Sequence, residues 1–152
     1  MVYKNSISAD EVNKLRRAAC FRQIDEAQIR AGLSGSVLIV SAYEDSDAVG
    51  MARLLWDGGM TALITDLIVL PEYQNRGIET ELVRQILNFL QDRLHPGFGI
   101  QVDVRAWGDQ EILYRKLGFE VSAQERRGVP MHICLTEQIE LTDARFRQCG
   151  FD

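Results

Sequence analysis

The stretch from Thr61 to Leu94 most constrains what this chain can fold into. It opens with TALITDLIVL, apolar and rich in β-branched side chains, the composition of a buried strand. It closes with ELVRQILNFLQDRL. There Ile78, Leu82, Val83, Ile86, Leu87, Leu90 and Leu94 recur at helical spacing, with Glu79, Glu81, Arg84, Gln85, Asn88 and Asp92 opposite them. A buried strand must therefore turn, through Pro71–Gly77, into an amphipathic helix.

A strand that turns directly into a helix leaves backbone N–H groups unpaired at the helix start. With the positive end of the helix dipole they make an anion site. Gly77 lets the backbone approach an anion closely, and Arg76 can add a charge-assisted contact to a phosphate. On physics alone the turn is a phosphate-site candidate, and the alternative is a strand–turn–helix unit that binds nothing. Neither GxGxxG after a strand nor GxxxxGK[ST] occurs.

The segment DLIVLPEYQNRGI resembles the acetyl-CoA site of the GNAT family of N-acetyltransferases, whose pattern is Gln/Arg-x-x-Gly-x-Gly/Ala. Gln74 and Gly77 match the first two fixed positions, and Glu79 departs from the third. Downstream, Leu113-Tyr114-Arg115-Lys116-Leu117-Gly118-Phe119 resembles the family's YxKxGF segment. The resemblance covers roughly residues 35–136. It implies one domain over 1–152 and an α+β fold: a mixed, mostly antiparallel sheet of six to seven strands with helices on both faces.

The rest of the chain is read around that frame. Ser8 and Glu11 form a capping box ahead of a helix carrying Val12, Leu15 and Ala19. A short helix over Asp25–Ala31 should end at Gly32. Residues 2–7, Ser36–Tyr43, Ala48–Trp56, Thr61–Leu70 and Gly99–Ala106 read as strands, the last parallel to the 61–70 strand because a helix crossover joins them. Asp109 is placed to cap a short helix that Gly118 ends. Phe119–Val121 and Pro130–Thr136 are expected to form a closing hairpin, and 137–152 reads as helix or tail.

At 152 residues the chain can bury a full core. Its net charge of −5 argues against non-specific nucleic-acid binding. Cys20, Cys134 and Cys149 are too few and too widely spaced for a disulfide framework or a metal knuckle, which fits reduced thiols in a cytoplasmic protein without a bound metal. MVYKNSISADEV holds no apolar leader, and no aliphatic run is long enough to cross a membrane.

The resemblance implies acetyl-CoA as co-substrate and a primary amine as acceptor, most simply a small molecule, with direct transfer in a ternary complex. Gln74, Asn75, Arg76, Gly77, Ile78, Glu79 and Thr80 would hold the pyrophosphate, and the backbone of Leu67, Ile68 and Val69 would pair with the pantetheine arm. Tyr114 would protonate the departing thiolate, for which its ordinary pKa near 10 suits it; the plainer reading is a core aromatic. Asp66, in the middle of an apolar strand, must be paired, reach water or have a raised pKa, and the last would suit a general base. His132 and Cys134 read as strand residues.

Glu79 would face the pyrophosphate. Two like charges about 5 Å apart repel by roughly 3 kcal/mol at an effective dielectric near 20, with Arg76 and Arg84 placed to relieve them. The rival reading is therefore a non-catalytic module of the same fold that binds CoA weakly or not at all and serves in protein interaction. A homodimer through an unpaired C-terminal strand or tail stays open.

Overall fold

The computed structural model describes residues 1–121. Five strands and four helices follow in the order β1 (Val2–Lys4), α1 (Ala9–Ala18), α2 (Glu26–Ser34), β2 (Leu38–Glu44), β3 (Asp47–Trp56), β4 (Thr61–Val69), α3 (Ile78–Gln91), β5 (Gln101–Val104) and α4 (Gln110–Lys116). A 3₁₀ turn at Pro71–Tyr73 precedes α3. The sheet runs β1-β2-β3-β4-β5, antiparallel as far as β4 and parallel between β4 and β5.

Helices cover both faces. On one, Leu82, Val83, Ile86 and Leu90 of α3, with Tyr114 of α4, pack on Val40, Ala52, Leu54, Ala62 and Ile64. On the other, Val12 and Leu15 of α1 and Ile29 of α2 pack on Met51 and Ile68. The capping box at Ser8 forms as expected, with Glu11 N–H donating to the Ser8 hydroxyl and Ser8 N–H to the Glu11 carboxylate.

Several boundaries differ from the sequence reading. Helix α2, capped by Asp25, continues through half-buried Gly32, whose carbonyl accepts from Arg53 Nη1, to Ser34 and ends on Gly35. Asp109 stands at the α4 N-cap, but its side chain bonds no backbone N–H; instead the Gln110 side chain accepts from Trp107 N–H at 3.2 Å. Residues 119–121 are not a strand, so the sheet has five strands among the described residues where six to seven were expected. The second half of the expected hairpin, the 137–152 tail, His132, Cys134 and Cys149 lie outside the described residues, as does the tail invoked for a dimer. Among the described residues no helix is long and apolar enough to cross a membrane.

Candidate active site

The site is built where β4 stops being a regular strand. Ala62 and Ile64 face α3, as period-2 alternation requires. Beyond them the parity changes: Leu67 and Val69 face α3, and Ile68 faces α1 and α2. The cause is a β-bulge. Met51 pairs with Ile68 and Arg53 with Thr65, so Asp66 and Leu67 both stand opposite Ala52. Asp66 takes up the extra residue with φ of 51°, in the left-handed region that asparagine and aspartate tolerate better than most residues.

At the same level β4 parts from β5. Their parallel pairing runs from Thr61–Gln101 to Ile64–Val104 and stops. Thr65–Val69 therefore has no strand partner on that side among the described residues. The Gln110 side chain reaches across from α4 and donates to the Leu67 carbonyl at 3.2 Å. Leu67, Ile68 and Val69, the segment expected to pair with an extended arm, thus lie on a stretch of β4 beyond the end of its pairing with β5.

The turn after β4 is held from behind. Gln74 donates from its side-chain amide to the Val69 carbonyl at 3.2 Å, tying the loop to the strand end. Asn75 and Gly77 both have positive φ, 60° and 81°. A Cβ on Gly77 would meet nothing within 4 Å, so glycine is used there for its backbone and for open space in front of it. The first helical bond of α3 is Glu81 N–H to the Gly77 carbonyl, and no side chain caps the helix. The N–H groups of Ile78, Glu79 and Thr80 thus precede any intrahelical partner and are left for an anion. Arg76 lies over the Tyr73 ring, its guanidinium carbon 4.9 Å from the centroid. Arg84 is engaged by Glu81 at 3.0 Å, so the relief expected from it at Glu79 is absent; Glu79 has no ion-pair partner among the described residues.

Tyr114 is 4% exposed. Its position follows from how α4 ends. Gly118 takes φ of 92°; its N–H donates to the Arg115 carbonyl and Phe119 N–H to the Tyr114 carbonyl, each at 3.0 Å. Those two bonds make a Schellman cap, whose hydrophobic contact joins the residue after the glycine to the one five back. Here that contact is Phe119 edge-on to Tyr114, centroids 5.3 Å apart. The spacing Tyr-x-x-x-Gly-Phe is therefore a helix terminator that locks the tyrosine ring. Gln110, one turn earlier on the same face, bonds Leu67, so Tyr114 lies on the side of α4 turned toward β4. Burial pushes the Tyr114 hydroxyl up to about 12, so it holds its proton at any physiological pH.

Asp66 is paired. Arg53 Nε donates to Oδ2 at 2.6 Å, and Arg16 Nη1 lies 3.7 Å from Oδ1. Arg53 and Arg16 were missed in the sequence. The signal was present: an arginine within AVGMARLLW and an aspartate within TALITDLIVL, on neighbouring strands, each need an opposite charge.

Comparison with known proteins gives the same assignment. Residues 35–121 match the acetyltransferase (GNAT) domain family. An uncharacterised N-acetyltransferase, ycf52, of Pyropia yezoensis is 28% identical over 96 residues, 60% of this chain and 53% of that protein. A histone acetyltransferase of Glycine max is 26% identical over 116 residues, 68% of this chain and 48% of that protein. The chain spans about half the length of these curated relatives. In fold it is similar to a GNAT-family acetyltransferase from Streptococcus pneumoniae, with TM-score 0.67 and 24% identity over 90% of this chain and 97% of that one. By its domain match, its sheet and its strand–turn–helix site, the chain belongs to the GNAT acetyltransferase family.

Proposed function

We propose that the protein transfers an acetyl group from acetyl-CoA to a primary amine, most simply that of a small molecule, by direct attack in a ternary complex. The observation that carries this reading is the coincidence at one level of the fold of the β4 bulge, the end of β4–β5 pairing and the uncapped start of α3. Acetyl-CoA supplies the activated acyl group and the thiolate leaving group. The chain's part is to hold and to donate. Ile78, Glu79 and Thr80 offer backbone N–H groups, and Arg76 a cation, to a pyrophosphate. Backbone groups of Leu67–Val69 align an extended arm and donate toward a carbonyl oxygen that gains charge. Tyr114, neutral and locked, donates its hydroxyl to the departing sulfur. Asp66 has two roles open to it, taking the amine's proton or holding the strand, and its two guanidinium partners favour the second.

One observation favours a second reading. Glu79 puts a carboxylate with no ion-pair partner among the described residues beside the N–H groups at the start of α3, which suits a module that has lost its cofactor and binds a protein instead. Thermal melts with and without acetyl-CoA separate the two. Ligand at a hundred times its Kd adds about 2.7 kcal/mol, a shift of roughly 5–10 °C for a chain of this size. A shift in the wild type, followed by turnover on an amine panel, supports the enzyme. No shift in the wild type and a shift in Glu79→Gly would support the module.

A further inference from the structure

The network around Asp66 joins more of the molecule than any other polar cluster among the described residues. Arg53 on β3 donates to Asp66 on β4, and from Nη1 to the Gly32 carbonyl and the Ser36 hydroxyl, each at 3.0 Å, at the end of α2. Arg16 on α1 pairs with Asp66 and donates from Nε to the Arg22 carbonyl at 2.9 Å, in the loop between α1 and α2. The two arginine side chains are 9% and 18% exposed and the Asp66 side chain 25%, so the group is largely withdrawn from water without being sealed.

We propose that Arg16, Asp66 and Arg53 form a positioning clamp that fixes the β4 bulge and ties it to the α1–α2 wall, and that Asp66 is not the acceptor of the amine's proton. The proposal rests on the acyl-transfer reading given above. Asp66 holds a left-handed backbone that most side chains avoid, and such conformations persist only where surrounding structure over-determines them. Arg53 and Arg16 supply that determination. Each carboxylate oxygen faces a guanidinium, and a proton arriving on either would break the pairing that holds the bulge. The peptide after Asp66 begins the segment that would present N–H groups to the thioester, so a rotation at Asp66 re-aims it. The same guanidinium that grips Asp66 grips the end of α2. A displacement of the α1–α2 wall by an acceptor therefore reaches the bulge through one side chain.

The test compares wild type, Asp66→Asn and Arg53→Ala by amide hydrogen exchange without ligand. Asparagine tolerates the left-handed backbone, so Asp66→Asn removes charge while keeping the turn. The clamp predicts that both variants speed exchange by about tenfold at two separated places, Gly35–Ser36 and Leu67–Val69, and leave α3 unchanged. If each variant perturbs only its own strand neighbours, the clamp is wrong. Should Arg53→Ala not fold, Arg53→Lys replaces it, since a lysine keeps the charge but cannot fork to Asp66, Gly32 and Ser36 together. A kinetic arm uses any amine the panel identifies. Asp66→Asn should lower kcat by about tenfold or more, leave the KM for acetyl-CoA within about threefold, and keep the acidic limb of the kcat/KM profile at its wild-type midpoint. Loss of that limb would make Asp66 the base and overturn the proposal. A wild type that turns over no amine would count against the transferase reading, and the exchange arm would still decide the clamp.

Discussion

Tyr114 and Glu79 show what a single side chain commits the site to. Folding raises the Tyr114 hydroxyl from its ordinary 10 to about 12, because burial disfavours the phenolate. The folded chain therefore binds more protons than the unfolded chain between those values. The stability this represents is complete below about pH 10 and is lost as pH rises to about 12, up to roughly 2–3 kcal/mol. Urea unfolding at stepped pH should show it. Tyr3, Tyr43 and Tyr73 are also raised, so the quantity to read is the difference between wild type and Tyr114→Phe, which should narrow as pH climbs. At Glu79 two effects of opposite sign meet. A carboxylate in the first turn stabilises the helix, and glycine there costs about 1 kcal/mol in propensity. Glu79→Gly should thus melt a few degrees lower without ligand, yet bind acetyl-CoA about ten- to hundredfold more tightly. Calorimetric titration of both proteins checks this; equal affinities would mean that the carboxylate turns away from the bound anion.

Among the elements, β4 carries the most information, and only part of it was legible. The apolar run announced a strand, and Gln74 and Gly77 announced the turn. The bulge was not readable, because TALITDLIVL is apolar at too many positions for a change of parity to show. Asp66 stands out by its charge, but its partners lie on another strand and on α1, and single-sequence patterns do not give register. Gly50 carries no local sequence signal of its role. A Cβ there would stand 2.9 Å from Val69 Cγ2 and 3.1 Å from the Ile68 carbonyl, so β3 approaches the functional end of β4 only because residue 50 lacks one. Gly50→Ala should destabilise the fold by about 1–3 kcal/mol by urea unfolding, the range for overpacking. An unchanged midpoint would mean that β3 and β4 can spread at that point. Helix α4 was legible in length and terminator alike, since a glycine with an apolar residue on each side of it at Schellman spacing is a local signal.

For the molecule as a whole, helix faces, the antiparallel run and the crossover to a parallel strand all followed from periodicity and connection length. What joins those parts did not: Arg53 reaching from β3 to α2, and Gln110 reaching from α4 to Leu67, are contacts across long stretches of chain. The parity change in β4 has a consequence for the fold's tolerance of shortening. Without Asp66, the residues Ala62, Ile64, Leu67 and Val69 would alternate without interruption and all face α3. The hydrophobic pattern is satisfied by a strand one residue shorter. Apart from the charge it gives Arg16 and Arg53, the apolar packing has no need of that residue; the opening beside β5 does. A chain lacking Asp66 should therefore still melt cooperatively, with β4 and β5 zipped further along their length, and should show no shift with acetyl-CoA. Such a protein would keep the fold and lose the opening, a difference of one residue in one strand.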